Sequence, residues 1–137
     1  MPPMTADRKD IVPTDAEIRI LRVLWAKGPT TVRDVHDVLN AERPTAYTTT
    51  LKLMQIMLDK GLVTRDESAR THVYSAAVAE RQTQRTATAD LLGRLFGGSA
   101  AALMQQALSV KPSSREELRK IREMLDALER GEKPNDD

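Results

Sequence analysis

The chain contains no cysteine, which excludes disulfides, thiolate zinc sites, iron–sulfur clusters and thiol catalysis together. Aromatic residues are almost as scarce, with one Trp, two Tyr and one Phe in 137 residues. The core must therefore be assembled from aliphatic and Met side chains, and a deep aromatic-lined substrate pocket is not expected. No run of about 18 apolar residues occurs, and the opening stretch MPPMTADRKDIVP lacks the apolar segment of a secretory signal. A soluble cytoplasmic protein with no membrane partner is the expectation. The two histidines, His36 and His72, stand far apart without a flanking ligand motif, and acidic groups such as Asp66-Glu67 and Asp136-Asp137 have no spaced partner for metal binding or acid–base work. Neither a metal nor another cofactor is expected. No nucleophile, base and oxyanion donor can be assembled, so the chain does not read as an enzyme.

Excess charge of one sign is missing as well. The formal net charge is +1, which argues against a uniformly basic surface of the kind that neutralises nucleic-acid phosphates. Distribution matters more than the sum, and Arg43, Lys52, Arg65, Arg70 and His72 fall within one short stretch.

What is present is a 40% apolar fraction, enough for one or two small domains with a modest core. Thr14 to Glu17 has capping-box spacing, and the first helix follows with Ile18, Leu21 and Trp25 on one stripe. Gly28-Pro29 ends it. After an extended Thr30-Thr31 link, Val32, Val35, Val38 and Leu39 mark a second helix capped by Thr31 with Asp34, and His36 falls on its polar side as a surface residue. The segment Asn40 to Pro44 breaks the pattern. A third helix is expected from about Thr45 to Gly61, with Leu51, Leu53, Met54, Met57 and Leu58 as its packing stripe. Leu62–Asp66 and Thr71–Ser75 then read as a hairpin, Val73 alternating with His72 and Tyr74.

From Ala76 onward the pattern is helical only, roughly 79–96, 100–109 and 114–130, the last opened by Ser113 and Glu116 in capping-box spacing. Leu118, Ile121, Leu125 and Leu128 recur at three, four and three, the seam of a coiled-coil-like surface. Glu116 with Lys120, Arg119 with Glu123 and Arg122 with Asp126 are expected to solvate the outer faces. Three such short helices cannot enclose a core alone, so a second copy of the chain is expected to cover Leu91, Leu92, Leu95, Phe96, Leu103 and the four seam residues. The expected fold is mainly α with a small β wing: a disordered leader (1–12), a winged helix-turn-helix domain (13–76), an all-helical dimerisation domain (77–131) and a disordered tail (132–137).

That order of elements suits a groove-reading helix followed by a backbone-touching hairpin. Ala46, Thr48, Thr49 and Lys52 are the candidate base readers. Thr methyls and Ala suit a thymine methyl, Thr hydroxyls suit several base edges, and Lys52 suits guanine acceptors or a phosphate. Thr30, Thr31, Arg43, Thr45, Tyr47, Arg65, Arg70 and His72 are candidates for the sugar-phosphate backbone, the first two through their backbone N–H groups. Each has a plainer alternative. The threonines can be a solvated helix start, Tyr47 can bury its ring against the second helix, and a charged hairpin can simply be solvated. A winged fold that docks a protein partner without reading DNA is the competing function.

TDAEIRILRVLW at Thr14 to Trp25, Gly28-Pro29, Ala46-Tyr47-Thr48-Thr49, Lys60-Gly61-Leu62, the strand Thr71 to Tyr74 and Phe96-Gly97-Gly98-Ser99 together resemble the penicillinase-repressor family, winged-helix repressors of the BlaI, MecI and CopY type. The likeness covers about residues 13 to 130, and the order and spacing of the motifs carry it. It implies a dimeric repressor whose wings bind a palindromic operator in double-stranded DNA and whose C-terminal helices form the dimer. It also implies that a membrane sensor-protease antirepressor system can be a partner, since some members are inactivated by cutting of the dimerisation region. Copper-responsive members carry a C-terminal cysteine motif that this chain lacks. Members inactivated by cutting have an Asn-Phe bond before the Gly-Ser turn, where this chain reads Gly93-Arg94-Leu95-Phe96-Gly97.

Overall fold

The computed structural model describes residues 11–133. The expected leader therefore lies, for residues 1–10, outside the described residues, as do residues 134–137 of the expected tail. Ile11 already packs against the core. The elements run α1 (Asp15–Lys27), β1 (Thr30–Thr31), α2 (Val32–Glu42), α3 (Tyr47–Lys60), β2 (Val63–Asp66), β3 (Val73–Ala76), α4 (Glu80–Phe96), α5 (Ala100–Val110) and α6 (Arg115–Glu129). They form two compact units that divide between Ala87 and Thr88. This division falls later than 76/77 because Val78 and Thr83 are still buried in the first unit and the Trp25 indole N–H donates to the Val78 carbonyl at 2.9 Å.

In the first unit α1 begins with the capping box: Glu17 N–H donates to Thr14 Oγ1 at 3.2 Å and Thr14 N–H to Glu17 Oε1 at 2.9 Å. Gly28 ends α1 at φ 80°, where a side chain would be strained. Thr31 caps α2 by accepting the Asp34 N–H. The helix continues to Glu42, through most of the stretch expected to break it. Arg43 is extended at φ −162°, ψ 142°, as a residue before proline must be. Asn40 Oδ1 accepts the Thr45 N–H at 3.0 Å and the Thr45 hydroxyl donates to the Arg43 carbonyl at 2.9 Å. These bonds hold 43–46 as a turn and delay α3 to Tyr47.

Gly61 closes α3 in the left-handed conformation, φ 83°, and β2 follows almost at once. The sheet has three antiparallel strands in the order β1-β3-β2, with Thr30 opposite Tyr74 and Arg65 opposite Tyr74 on the other side. The Thr30-Thr31 link is thus a strand, and β3 rather than a hairpin edge is central. Its inward residue is Tyr74, 2% exposed, not Val73. The core joins Ile20, Leu21 and Leu24 of α1, Val35 and Leu39 of α2, Met54 and Met57 of α3, and Leu62, Val63 and Tyr74 from the sheet side. Aliphatic and Met side chains dominate it, as the shortage of aromatics requires.

Glu17 is buried, and its Oε2 lies 2.7 Å from Lys60 Nζ, tying the start of α1 to the end of α3. Burial alone would raise this carboxyl, but the Lys60 hydrogen bond and charge and the Thr14 bonds outweigh burial and hold its pKa below the ordinary 4.5. A carboxylate with a depressed folded-state pKa contributes stability that is complete above its unfolded value and is lost as pH falls through the folded one. Lys60→Met is expected to lower stability at pH 7 by about 1 to 3 kcal/mol, toward the lower end because the ammonium is partly exposed. It should also flatten the acid limb below about pH 4.5. Urea titrations at pH 7 and pH 3 check this, and an undiminished midpoint at pH 7 would refute it.

In the second unit α5 is opened by Ser99, whose Oγ accepts the Ala102 N–H. Helix α6 is opened by Ser114, which accepts the Glu117 N–H at 3.0 Å. The cap is one residue later than the Ser113 and Glu116 pair, because the next Ser and Glu repeat the same spacing. Arg119 reaches Glu123 at 3.4 Å and Glu116 at 3.9 Å. Among the described residues, none from 88 to 133 is buried. Leu95, Leu118, Leu125 and Leu128 are all exposed, Leu95 at 69% and Leu125 at 53%, while Leu91, Leu92, Phe96, Leu103 and Ile121 are only half-buried.

Candidate nucleic-acid interface

Helix α3 turns Thr50, Met54 and Met57 into the core, and the 3.6-residue period then fixes what faces outward. Ala46, Thr48, Thr49 and Lys52 are all exposed, so the four expected base readers share the free side of α3. Its first turn carries no acidic residue and no side-chain cap on its N–H groups. In contrast, α1, α2 and α6 all begin with Asp or Glu in the first turn. The positive end of α3 is thus left uncompensated by the chain itself.

Beside this face a groove of about 320 Å³ runs between α3, the start of α2 and the wing. Thr31 and Arg33 line it from α2, Tyr47 and Gln55 from α3, and Arg65 and His72 from the sheet side. No carboxylate lines it, although acidic residues nearly equal basic ones in the whole chain. Its basic groups are Arg33, Arg65 and His72, and Glu67, outside the lining, lies beside the last two. Arg43 and Arg70 are exposed but lie outside its lining.

Several of the expected backbone contacts are reassigned by their surroundings. Thr30 is buried and its hydroxyl donates to the Gly28 carbonyl at 2.6 Å, because β1 joins the sheet. Its side chain is turned away from any partner. The Thr31 hydroxyl caps α2 as expected, which leaves the expected contact through its backbone N–H standing, while the Thr45 hydroxyl donates within the turn. Arg65 is half-buried: it meets Glu67 at 2.8 Å and the Tyr74 hydroxyl at 3.4 Å. The Tyr74 hydroxyl and the Glu67 carboxylate outweigh desolvation and hold its pKa above the ordinary value. His72 is exposed, 3.9 Å from the same Glu67.

His36 is buried rather than on the surface, with Nδ1 3.2 Å from Thr50 Oγ1 and its ring edge-on to Tyr47, centroids 5.4 Å apart. Helical periodicity placed it on the polar side of α2, but the crossing of α3 covers that side. Tyr47 is half-buried, so the packed alternative holds for most of its ring. Arg33, Asn40 and Gln55 were not singled out by the sequence. For Gln55 the signal was its spacing of three from Lys52 and seven from Thr48 on the exposed stripe; for Arg33 no local signal exists.

A family described as “Penicillinase repressor” matches residues 13–127 of the chain. The “Transcriptional regulator BlaI” of Mycobacterium tuberculosis, strains CDC 1551 / Oshkosh and ATCC 25618 / H37Rv, is 39% identical over 62 residues, 44% of this chain and 45% of that protein. The match thus spans less than half the length of these curated relatives. The “Uncharacterized 16.5 kDa protein in ptsI 3'region” of Latilactobacillus sakei is 24% identical over 114 residues, 83% of this chain and 78% of that protein. Among solved structures, the “Solution structure of the DNA binding domain of the repressor BlaI” aligns with a TM-score of 0.47 at 20% identity, over 51% of this chain and 85% of that one.

Proposed function

The chain belongs to the penicillinase repressor family, and from that premise we propose that it is a cytoplasmic homodimeric repressor that binds a palindromic operator in double-stranded DNA. The observation that carries this reading is the groove lined by Arg33, Arg65 and His72 beside the exposed face of Thr48, Thr49 and Lys52. A phosphate chain needs basic groups along its path, which Arg33, Arg65 and His72 supply, with Glu67 beside the last two to be displaced, and a base-reading helix needs free polar side chains beside it. A protein-docking module requires neither. On this reading α3 enters the major groove while Arg65 and His72 meet the backbone from the wing.

The absence of any buried residue in 88–133 supports the second copy. An isolated helical unit with exposed Leu125 and Leu128 gains stability only when a matching surface covers them. Two reading heads would then sit roughly 34 to 36 Å apart, one turn of B-DNA. Among the described residues no helix is long and apolar enough to cross a membrane. An inducing membrane sensor-protease is a further proposal from the family, and a protease gene adjacent to this one would support it.

A mobility-shift titration on the promoter beside its own gene tests the reading. Saturable binding tighter than to random duplex is expected, and equal affinity for both would remove the specific repressor. Replacing Thr49 and Lys52 by Ala should leave folding intact, both being exposed, and weaken specific binding by about 1 to 3 kcal/mol per lost base contact. Undiminished affinity would contradict this face of α3.

A further inference from the structure

Arg33 occupies the second position of α2, on the rim of the acid-free groove. Its side chain has an obvious local partner in Asp37, one turn on, yet among the described residues no ion pair joins them. The guanidinium instead sits over the Tyr47 ring, 4.6 Å from its centroid. A guanidinium carries five N–H donors, and contact with a ring does not consume them as an ion pair with Asp37 would. Tyr47 is itself fixed from behind, edge-on to buried His36, whose Nδ1 is 3.2 Å from the Oγ1 of fully buried Thr50. Three side chains, Thr50, His36 and Tyr47, thus connect the interior of the α2–α3 contact to one surface cation, which lines the same groove as the wing's Arg65 and His72.

We propose that Arg33 is a phosphate clamp for one strand of the DNA backbone, and that Tyr47 acts as its positioning residue through the ring rather than through the hydroxyl. This rests on the DNA-binding reading above. A guanidinium held by a ring loses less freedom on binding than one on a free side chain, and bidentate donation to a phosphate suits its planar fork. The contact is to the backbone, so it adds affinity equally to every sequence.

The test uses the full chain with two DNA duplexes, the promoter and a random sequence of equal length, across a range of salt concentrations. Arg33→Ala is expected to weaken both by roughly tenfold for each of the dimer's two copies of the contact, about a hundredfold in all, and to reduce the slope of log affinity against log salt by about 1.8, one phosphate's counterion for each copy. Tyr47→Ala should weaken both severalfold, Tyr47→Phe should recover most of that loss, and Arg33→Ala with Tyr47→Ala should be no weaker than Arg33→Ala alone. Circular dichroism of each variant separates misfolding from lost contact, and Tyr47→Phe keeps the packing in any case. An unchanged salt slope in Arg33→Ala would overturn the clamp. A Tyr47→Phe variant as weak as Tyr47→Ala would assign the contact to the hydroxyl instead and overturn the positioning role. Failure of the unmodified protein to bind either duplex is a different result, which would remove the DNA-binding reading along with the clamp.

Discussion

On the proposed dimer, Leu125→Glu is expected to give single chains in place of pairs, and to lower promoter affinity by about 10²- to 10⁴-fold as bivalent binding is lost. Leu125 stands on α6 at 53% exposure, in line with Leu118, Ile121 and Leu128. The opposite faces of α6 carry Arg119, Glu116 and Glu123, which pair with one another and need no cover. A carboxylate in the seam would bring like charges together at the symmetric contact and place each in an apolar setting without a partner, which costs several kcal/mol. The core of the first unit is made of residues between 11 and 78, so the variant should keep the helical and sheet signals of residues 11–87. Light scattering reads the mass and mobility shift reads the affinity. A mass that stays at two chains would show that the dimer forms elsewhere.

The second large effect is on stability. Met57 is fully buried in α3 and belongs to the cluster that includes Ile20, Leu21, Met54 and Leu62. Met57→Ala removes its contacts and leaves a cavity, for an expected loss of about 2 to 5 kcal/mol. Since small domains have roughly 5 to 15 kcal/mol in all, this loss should lower the unfolding midpoint clearly and raise the unfolded fraction. Met57→Leu conserves volume and should cost less than about 1.5 kcal/mol. Chemical denaturation of the two variants gives the comparison. If Met57→Ala matches the parent midpoint, the core has been placed wrongly. The loss of DNA affinity in Met57→Ala should follow the unfolded fraction, unlike that in Thr49→Ala or Lys52→Ala, because the side chain faces away from the reading surface.

Local chemistry and periodicity determined much of the fold from the residues alone. The Thr14 and Glu17 box, the Thr31 cap and the glycines at 28 and 61 depend on neighbours three or four positions away, so their outcome was legible without the rest of the molecule. The exposure of Ala46, Thr48, Thr49 and Lys52 followed in the same way, since the apolar stripe through Met54 and Met57 fixes which side of α3 is inward. The lack of cysteine and the shortage of aromatics set the chemistry of the core, which is made of aliphatic, Met and one Tyr side chain.

Tertiary structure alone decided where long-range contacts cover a face that looks polar from one helix. His36 is on the polar side of α2 and becomes interior because α3 crosses it. Thr30 and Thr31 read as a link and form a strand only because β3 lies beside them, which takes Thr30 out of the surface. Arg33 has Asp37 one turn away in sequence and meets Tyr47 of α3 instead. Propensity and spacing act within about one turn of helix or along one strand, whereas these three outcomes depend on which element lies across from which, a relation that packing settles after the elements exist.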